Sequence, residues 1–336
     1  MIILGIESSC DDTAAAVIEN GKVVSSVVSS QDLLHQRFGG VVPELASRRH
    51  MEAVTVVVEE ALKQAGFSLA QIELICVTQG PGLIGSLLVG FSYAKSLSFT
   101  LGIPFVGVDH MAGHLLSAFL EKDVPDFPFI ALIVSGGTTA LFKVDDYLEF
   151  TLLGATRDDA AGEAFDKISR YLKLGYPGGP HVSRHAEYGD PAFLKLPRAW
   201  LEEGSLDFSF SGLKTSVLNH CNTLRMSETL TDQRIDDVCA SFQQAVVEVL
   251  VEKAIQAARI YDLETIVLGG GVSANRILRE QMTIGCSEKG ITLCLPAIEN
   301  CTDNAAMIAF AGSKMFEFGV RGNFDDDVFS RSHLGR

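Results

Sequence analysis

The order of segments in this chain occurs twice, and that constrains its fold more than any single motif. "IILGIESSCDDTAAAVIENGKVVSSV", from Ile2, aligns with "FIALIVSGGTTALFKVDDYLEFTLL", from Phe129. Each copy opens with an apolar run ending in a small polar turn, Glu7-Ser8-Ser9 in the first and Ser135-Gly136-Gly137 in the second. A second run follows at once ("TAAAVIE" and "TTALFKV"), then another polar turn and a third run. Connections this short join antiparallel neighbours, so each copy predicts three strands linked by hairpins.

The parallel continues downstream. In the first half, helix "PELASRRHMEAVTVVVEEALKQAG" precedes strand "IELICVTQG", a helix over 83–101, strand "PFVGVDH" and a helix beginning at His110. In the second, helix "DAAGEAFDKISRYLKLG" leads through a variable stretch to the long helix "DDVCASFQQAVVEVLVEKAIQAARIY". Strand "TIVLGGG", helix "SANRILREQM", strand "ITLCLP" and helix "TDNAAMIAFAGSKMF" complete it. A repeat of this size predicts an α/β fold of two similar lobes facing each other across a central nucleotide cleft. That is the plan of the actin-like ATPase and sugar-kinase (ASKHA) superfamily. The 336 residues suit two domains, expected at 1–122 and 123–336, the second interrupted by an insertion at about 175–232 that carries the only tryptophan, Trp200.

His110 and His114 stand four residues apart on a predicted helix, so both imidazoles point the same way. The equivalent helix of the second lobe begins beside Asp303. If the repeat aims both helices at one cleft, two imidazoles and a carboxylate form a set with open positions, suited to iron or zinc. The plainer alternative for Asp303 is a helix N-cap or first-turn acid. His181 and His185 share the same spacing inside the insertion, where the repeat supplies no facing carboxylate. They read as surface or pocket-rim residues.

Two glycine-rich turns lie at matching strand ends. "IVSGG" comprises Ile133, Val134, Ser135, Gly136 and Gly137, and "LGGGVSAN" opens a helix whose first N–H groups suit an anion or nucleotide. Asn275 reads either as a hydrogen-bond partner for a base or ribose, or as a structural cap. Asp166 would accept from ribose hydroxyls if its helix lines the cleft, and at Gly178 and Gly179 backbone can approach a ligand closely. Glu7, Asp11 and Asp12 sit where kinases of this superfamily carry an acidic phosphate loop.

Composition narrows the function further. The 42 acidic against 27 basic residues leave a formal charge of -15, which disfavours a stand-alone nucleic-acid binder and leaves a local basic patch or a partner protein as the route to one. Arg48, Arg49, Lys167, Arg170 and Arg276 are candidate phosphate contacts. The seven cysteines are scattered with no CxxC pair, which indicates neither a zinc knuckle nor a redox motif. The N-terminus has no basic n-region, and the apolar stretch 83–101 contains Lys95, four serines and two glycines. It therefore reads as a buried helix, and the chain as a cytoplasmic protein with no membrane association.

These segments together resemble one family, the tRNA N(6)-adenosine threonylcarbamoyltransferases, formerly described as glycoproteases. The resemblance rests on "GIESSCDDT", "GGVVPELASRRH", "TQGPGLIGSLLVG", "DHMAGH", "VSGG", "GEAFDK", "YPGGP", "FSFSGLKT", "GGGVSAN" and "CTDNAAMIA", in family order from residue 4 to about 311. It implies transfer of a threonylcarbamoyl group from its adenylate to the N(6) amine of the tRNA adenosine beside the anticodon. It further implies one divalent metal per subunit, iron or zinc, held by His110, His114 and Asp303. The adenylate would lie on Ile133, Val134, Ser135, Gly136, Gly137, Asp166, Gly179 and Asn275. The implied partners are tRNA, an inactive paralogous subunit forming a heterodimer, a small ATPase, and an upstream threonylcarbamoyl-adenylate synthase. Thr138 departs from the usual His or Asn after "SGG". Ser183 stands where an Asp is common, and offers ribose a weaker contact than a carboxylate would.

Three rivals remain. A zincin protease needs Glu directly after the first His, and Met111 is there. A small-molecule kinase of the same fold would leave the metal set without purpose and lacks a visible base motif for a sugar hydroxyl. A non-catalytic partner subunit has no need of all three ligands and both glycine-rich turns.

Overall fold

In β1 (Ile2–Glu7) every residue from Ile3 onward is buried, as a strand covered on both faces requires. It pairs antiparallel with β2 (Asp12–Glu19), which pairs antiparallel with β3 (Lys22–Ser30). The computed structural model describes residues 1–227, 231–332 and 334–335. After α1 (Asp32–Gln36) comes α2 (Pro43–Ala65), with proline in its first turn and Gly66 at φ +73° closing its end, a conformation that favours glycine. β4 (Leu74–Gly80), α3 (Ile84–Leu101), β5 (Phe105–Asp109) and α4 (His110–Leu116) follow. β4 lies parallel to β1, and β5 parallel to β4, so the sheet order is β3-β2-β1-β4-β5.

The second sheet repeats this topology. β6 (Phe129–Val134), β7 (Thr139–Asp146) and β8 (Glu149–Ala155) precede α5 (Ala161–Leu172), α6 (Gly178–Ala186), α7 (Ser211–Ser227) and α8 (Asp232–Ile260). β9 (Thr265–Gly269), α9 (Arg276–Lys289) and β10 (Thr292–Cys294) complete it, in the order β8-β7-β6-β9-β10. Strand for strand this matches the first sheet, with β6–β7 antiparallel and β6–β9 and β9–β10 parallel. The chain then adds α10 (Ile298–Cys301) and α11 (Ala305–Glu317).

The chain forms two compact units whose boundaries differ from 1–122 and 123–336. One comprises Met1–Val124, Asp145–Phe150 and Pro296–Arg336, the other Pro125–Val144 and Thr151–Leu295. The last helix, expected in the second lobe, packs on the first sheet. Every residue of α11 from Ala305 to Ser313 is buried, and the helix lies against β1, β2, β4 and β5. Gly5 makes this approach possible, because a Cβ there would stand 2.3 Å from the Ala305 carbonyl oxygen. Segment order cannot reveal which of two like sheets a helix covers.

Within the second unit, the expected insertion contributes α6, an irregular stretch and α7. Buried Lys253 of α8 ties down the irregular part, donating from Nζ to the carbonyls of Trp200 (3.1 Å) and Ser205 (2.7 Å). Among the described residues no helix is long and apolar enough to cross a membrane.

Candidate functional site

β5 ends at Asp109, whose carboxylate accepts from the Met111 N–H at 2.8 Å and from the Ser332 hydroxyl at 2.6 Å. This N-cap starts α4 at His110 and places His114 one turn on, the rings meeting edge to face with centroids 4.7 Å apart. Asp303 sits just before α11. The cap of that helix is Asn304, which accepts from the Met307 N–H at 2.9 Å, so Asp303 does not serve as the cap. Asp303 Oδ1 instead lies 3.1 Å from His114 Nε2 and 3.4 Å from His110 Nε2. All three donors belong to the first unit, not to facing lobes.

Glu7, the last residue of β1, completes this cluster. It is fully buried, and its Oε2 lies 2.9 Å from His110 Nδ1 while accepting from the Thr78 hydroxyl at 2.5 Å. Its Oε1 accepts from the Ser9 N–H. Burial opposes the Glu7 charge, yet the adjacent His110 holds the carboxyl below its usual range. Burial likewise opposes a charged His110, but Asp303 and Glu7 raise its pKa well above the ordinary value. Burial opposes the Asp303 charge too, and the two imidazoles outweigh it and lower that carboxyl.

This arrangement fits a small divalent ion. With Nδ1–H donated to Glu7, His110 turns the Nε2 lone pair toward Asp303, and two acceptors at 3.4 Å need a proton or cation between them. Ligand atoms bonded to one ion at about 2.0–2.2 Å sit roughly 3–3.5 Å apart, which matches both contacts to Asp303. Glu7 stands where the outer carboxylate of a metal-binding histidine would be needed, against His110 Nδ1. His114 Nδ1 is buried and has no such partner among the described residues. His110, His114 and Asp303 form the donor cluster found among those residues, all ligand atoms within 4.8 Å. Sequence reasoning assigned Glu7 to a phosphate loop. The available signal was a charged residue ending an otherwise apolar central strand.

The remaining candidates lie in the second unit. Ile133 and Val134 end β6, fully buried, and the Ser135-Gly136-Gly137 turn is closed by Ser135 N–H to the Thr138 carbonyl (2.7 Å) and Thr138 N–H to Ser135 Oγ (3.1 Å). α5 starts against this turn, Gly162 N–H donating to the Ser135 carbonyl at 3.2 Å. One turn further, Asp166 Oδ1 accepts from the Gly178 N–H at 2.7 Å and so holds the start of α6. A side chain at Gly178 would strike the Asp166 backbone, whereas Gly136, Gly137 and Gly179 have open space beside them. Ser183 and Asn275 line a cavity of about 180 Å³ together with Gln243, which the sequence reading overlooked. Asn275 is a cap, its Oδ1 accepting from the Leu278 N–H at 3.0 Å. His185, read as lacking a carboxylate, has one: its Nδ1 lies 2.6 Å from Asp236 Oδ1. Asp236 lies on α8, outside the repeated segments.

A doubly repeated five-stranded α/β topology defines the actin-like ATPase (ASKHA) class of fold. A solved structure of T. kodakarensis HypF shares it, with a TM-score of 0.63 and 16% identity over 94% of this chain and 47% of that longer one. The family model described as TsaD, tRNA N6-adenosine threonylcarbamoyltransferase, matches residues 22–310. Proteins of that name are 59% identical in Desulfotalea psychrophila (100% of this chain, 98% of that protein) and 51% in Bacillus subtilis (97% and 93%). A third, from Geobacillus thermodenitrificans, is 52% identical over 95% of this chain and 93% of its own length. The chain belongs to the tRNA N6-adenosine threonylcarbamoyltransferase family: it is a transferase, and its field is tRNA modification.

Proposed function

We propose that this transferase moves the threonylcarbamoyl group from threonylcarbamoyl-adenylate to the N(6) amine of the adenosine adjacent to the anticodon, in tRNAs reading codons that begin with A. The observation carrying this reading is the convergence of His110, His114 and Asp303, oriented by Glu7, in a chain that matches the family along its length. The donor is a carbamoyl–phosphate anhydride and already activated, so no covalent nucleophile is required. The N(6) nitrogen forms a bond to the carbamoyl carbon, the bond from that carbon to the phosphate oxygen breaks, AMP departs, and the amine loses a proton. The protein's task is to orient the two reactants and stabilise charge on the leaving phosphate.

In the second unit, open backbone at Gly136 and Gly137 suits the phosphate, and Gly179 with Asp166 suits the ribose. One divalent ion, iron or zinc, held by His110, His114 and Asp303 of the first unit would supply Lewis-acid chemistry for the transfer. Glu7 keeps the His110 ring in its donor orientation. The net charge of -15 supports a tRNA held jointly with partners, which we take to be an inactive paralogous subunit in a heterodimer and a small ATPase. A separate synthase would supply the adenylate, all in the cytoplasm.

The test is single-turnover transfer from synthetic threonylcarbamoyl-adenylate to unmodified tRNA, with the partner proteins, for wild type and His110→Ala. Modified tRNA from the wild type and a loss of a hundredfold or more in the variant are expected. Equal activity in both removes the metal from the reading. No modification, with ATP consumed alongside a small hydroxylated substrate, replaces the transfer with a kinase reaction.

A further inference from the structure

We infer that Gln243 is the residue that recognises the nucleoside part of the adenylate, and that Asn275 and Ser183 decide which end of its amide faces the ligand. The inference rests on the adenylate reading above. It begins at the start of α9, whose first N–H groups lack helical acceptors. Asn275 Oδ1 takes the Leu278 N–H at 3.0 Å, which fixes the direction of the Asn275 amide. Its Nδ2 then points the other way and donates at 2.8 Å to both Ser183 Oγ and Gln243 Oε1. Ser183 accepts one hydrogen and passes on its own, its hydroxyl donating to the same Gln243 Oε1 at 2.8 Å.

This closed set of bonds leaves one group over. Gln243 Oε1 receives two donors and is saturated, so Nε2 is the unspent end of the amide. Gln243 as a residue is 4% exposed, and both of its hydrogen bonds among the described residues fall on Oε1, which leaves Nε2 open to the cavity. An amide whose oxygen is held by two donors presents its NH₂ in one fixed direction, here as an unpaired donor at the wall of a cavity. Gln243 lines the 180 Å³ cavity, with Ser183, Asn275, Arg276 and Glu187 as polar neighbours, the last two 3.8 Å apart, and Ala186 and Ile277 as apolar ones. An oriented donor beside apolar wall suits an acceptor on a flat nucleoside, a ring nitrogen or a ribose oxygen. Asn275, expected to touch the ligand, has all its polar atoms committed and is a positioning residue.

AMP binding to the full chain, measured by calorimetry at low and at 0.5 M salt and paired with melting curves, tests this. Gln243→Glu keeps both accepting roles and replaces the cavity donor with a carboxylate oxygen. Its AMP Kd should rise at least tenfold at both salt concentrations while its Tm stays near wild type. Asn275→Asp keeps the helix cap but removes both donors. The Gln243 amide then turns to donate to the new carboxylate and shows its oxygen to the cavity, and AMP affinity should fall at least fivefold. A folded Gln243→Glu that binds AMP within twofold of wild type overturns the inference. If that variant does not fold, unchanged affinity in Asn275→Asp overturns it. A wild type that binds no AMP removes the adenylate reading, and this inference with it.

Discussion

Glu7 shows how much one side chain gains from its surroundings. On an exposed helix a glutamate is a solvated charge; here it ends a buried strand and meets His110, Thr78 and Ser9 within hydrogen-bond reach. Removing an outer carboxylate from a metal-ligating histidine typically costs about 10–100-fold in affinity. Glu7→Gln should therefore weaken zinc or iron binding by about that factor in a competition with a chelator, with both histidines intact. Unchanged affinity would leave Glu7 as a buried acid and nothing more. Asp12 carries a different consequence. Burial pushes its carboxyl up to about 7, with the Ser30 hydroxyl opposing and Asp303, Asp11 and Asp32 adding to the rise. The folded chain then holds a proton that the unfolded chain releases from about pH 4 upward, so stability falls as pH rises toward 7. Asp12→Asn should melt with no advantage over wild type near pH 4 and a growing one up to about pH 7, level above it. A gain that shrinks as pH rises would contradict the sign.

At the scale of elements, the proposed metal site depends on how α11 is seated. α4 has seven residues, too short to be stable alone, and owes its place to β5 and the Asp109 cap. Asp303 reaches the histidines only because α11 lies flat on β1, with Gly5 against Ala305 and Ala309. Gly5→Ala forces that helix away from the sheet, an overpacking that typically costs about 1–3 kcal/mol. Tm should drop, and metal content per chain should fall although no ligand has changed. A variant with lowered Tm and full metal content would show that Asp303 is held independently of this contact. The helix pair was legible because four residues make about one helical turn. Asp303, the third proposed ligand, was legible as a residue near the pair, by analogy between the repeats. Its origin was not, since α11 meets the first sheet through contacts some 300 positions distant in sequence.

For the whole molecule, charge is the governing property. Lys167, one candidate for tRNA contact, bridges Asp159 at 2.7 Å and Glu163 at 2.8 Å, and Arg276 bridges Glu280 at 2.7 Å. With these cations already paired and a net charge of -15, the chain alone should bind tRNA weakly, with affinity falling steeply between 50 and 200 mM salt. Filter binding or anisotropy with and without partner proteins measures this. Tight, salt-insensitive binding by the chain alone would defeat the idea of joint tRNA recognition.

What the amino-acid sequence determined by itself is what neighbours along the chain decide. The two three-strand openings follow from apolar runs broken by polar turns, the glycine-rich corners from residues that tolerate them, and the His110–His114 pairing from helical spacing. The cap at Asn275 is one of two readings that the sequence leaves open. Folding alone settled the rest: that α11 covers the first sheet, that Glu7 orients His110, and that Ser183 and Asn275 turn the Gln243 amide. Each joins residues far apart in sequence. An apolar face or a lone polar side chain records that it needs a partner, but which partner it receives depends on the packing of the whole fold.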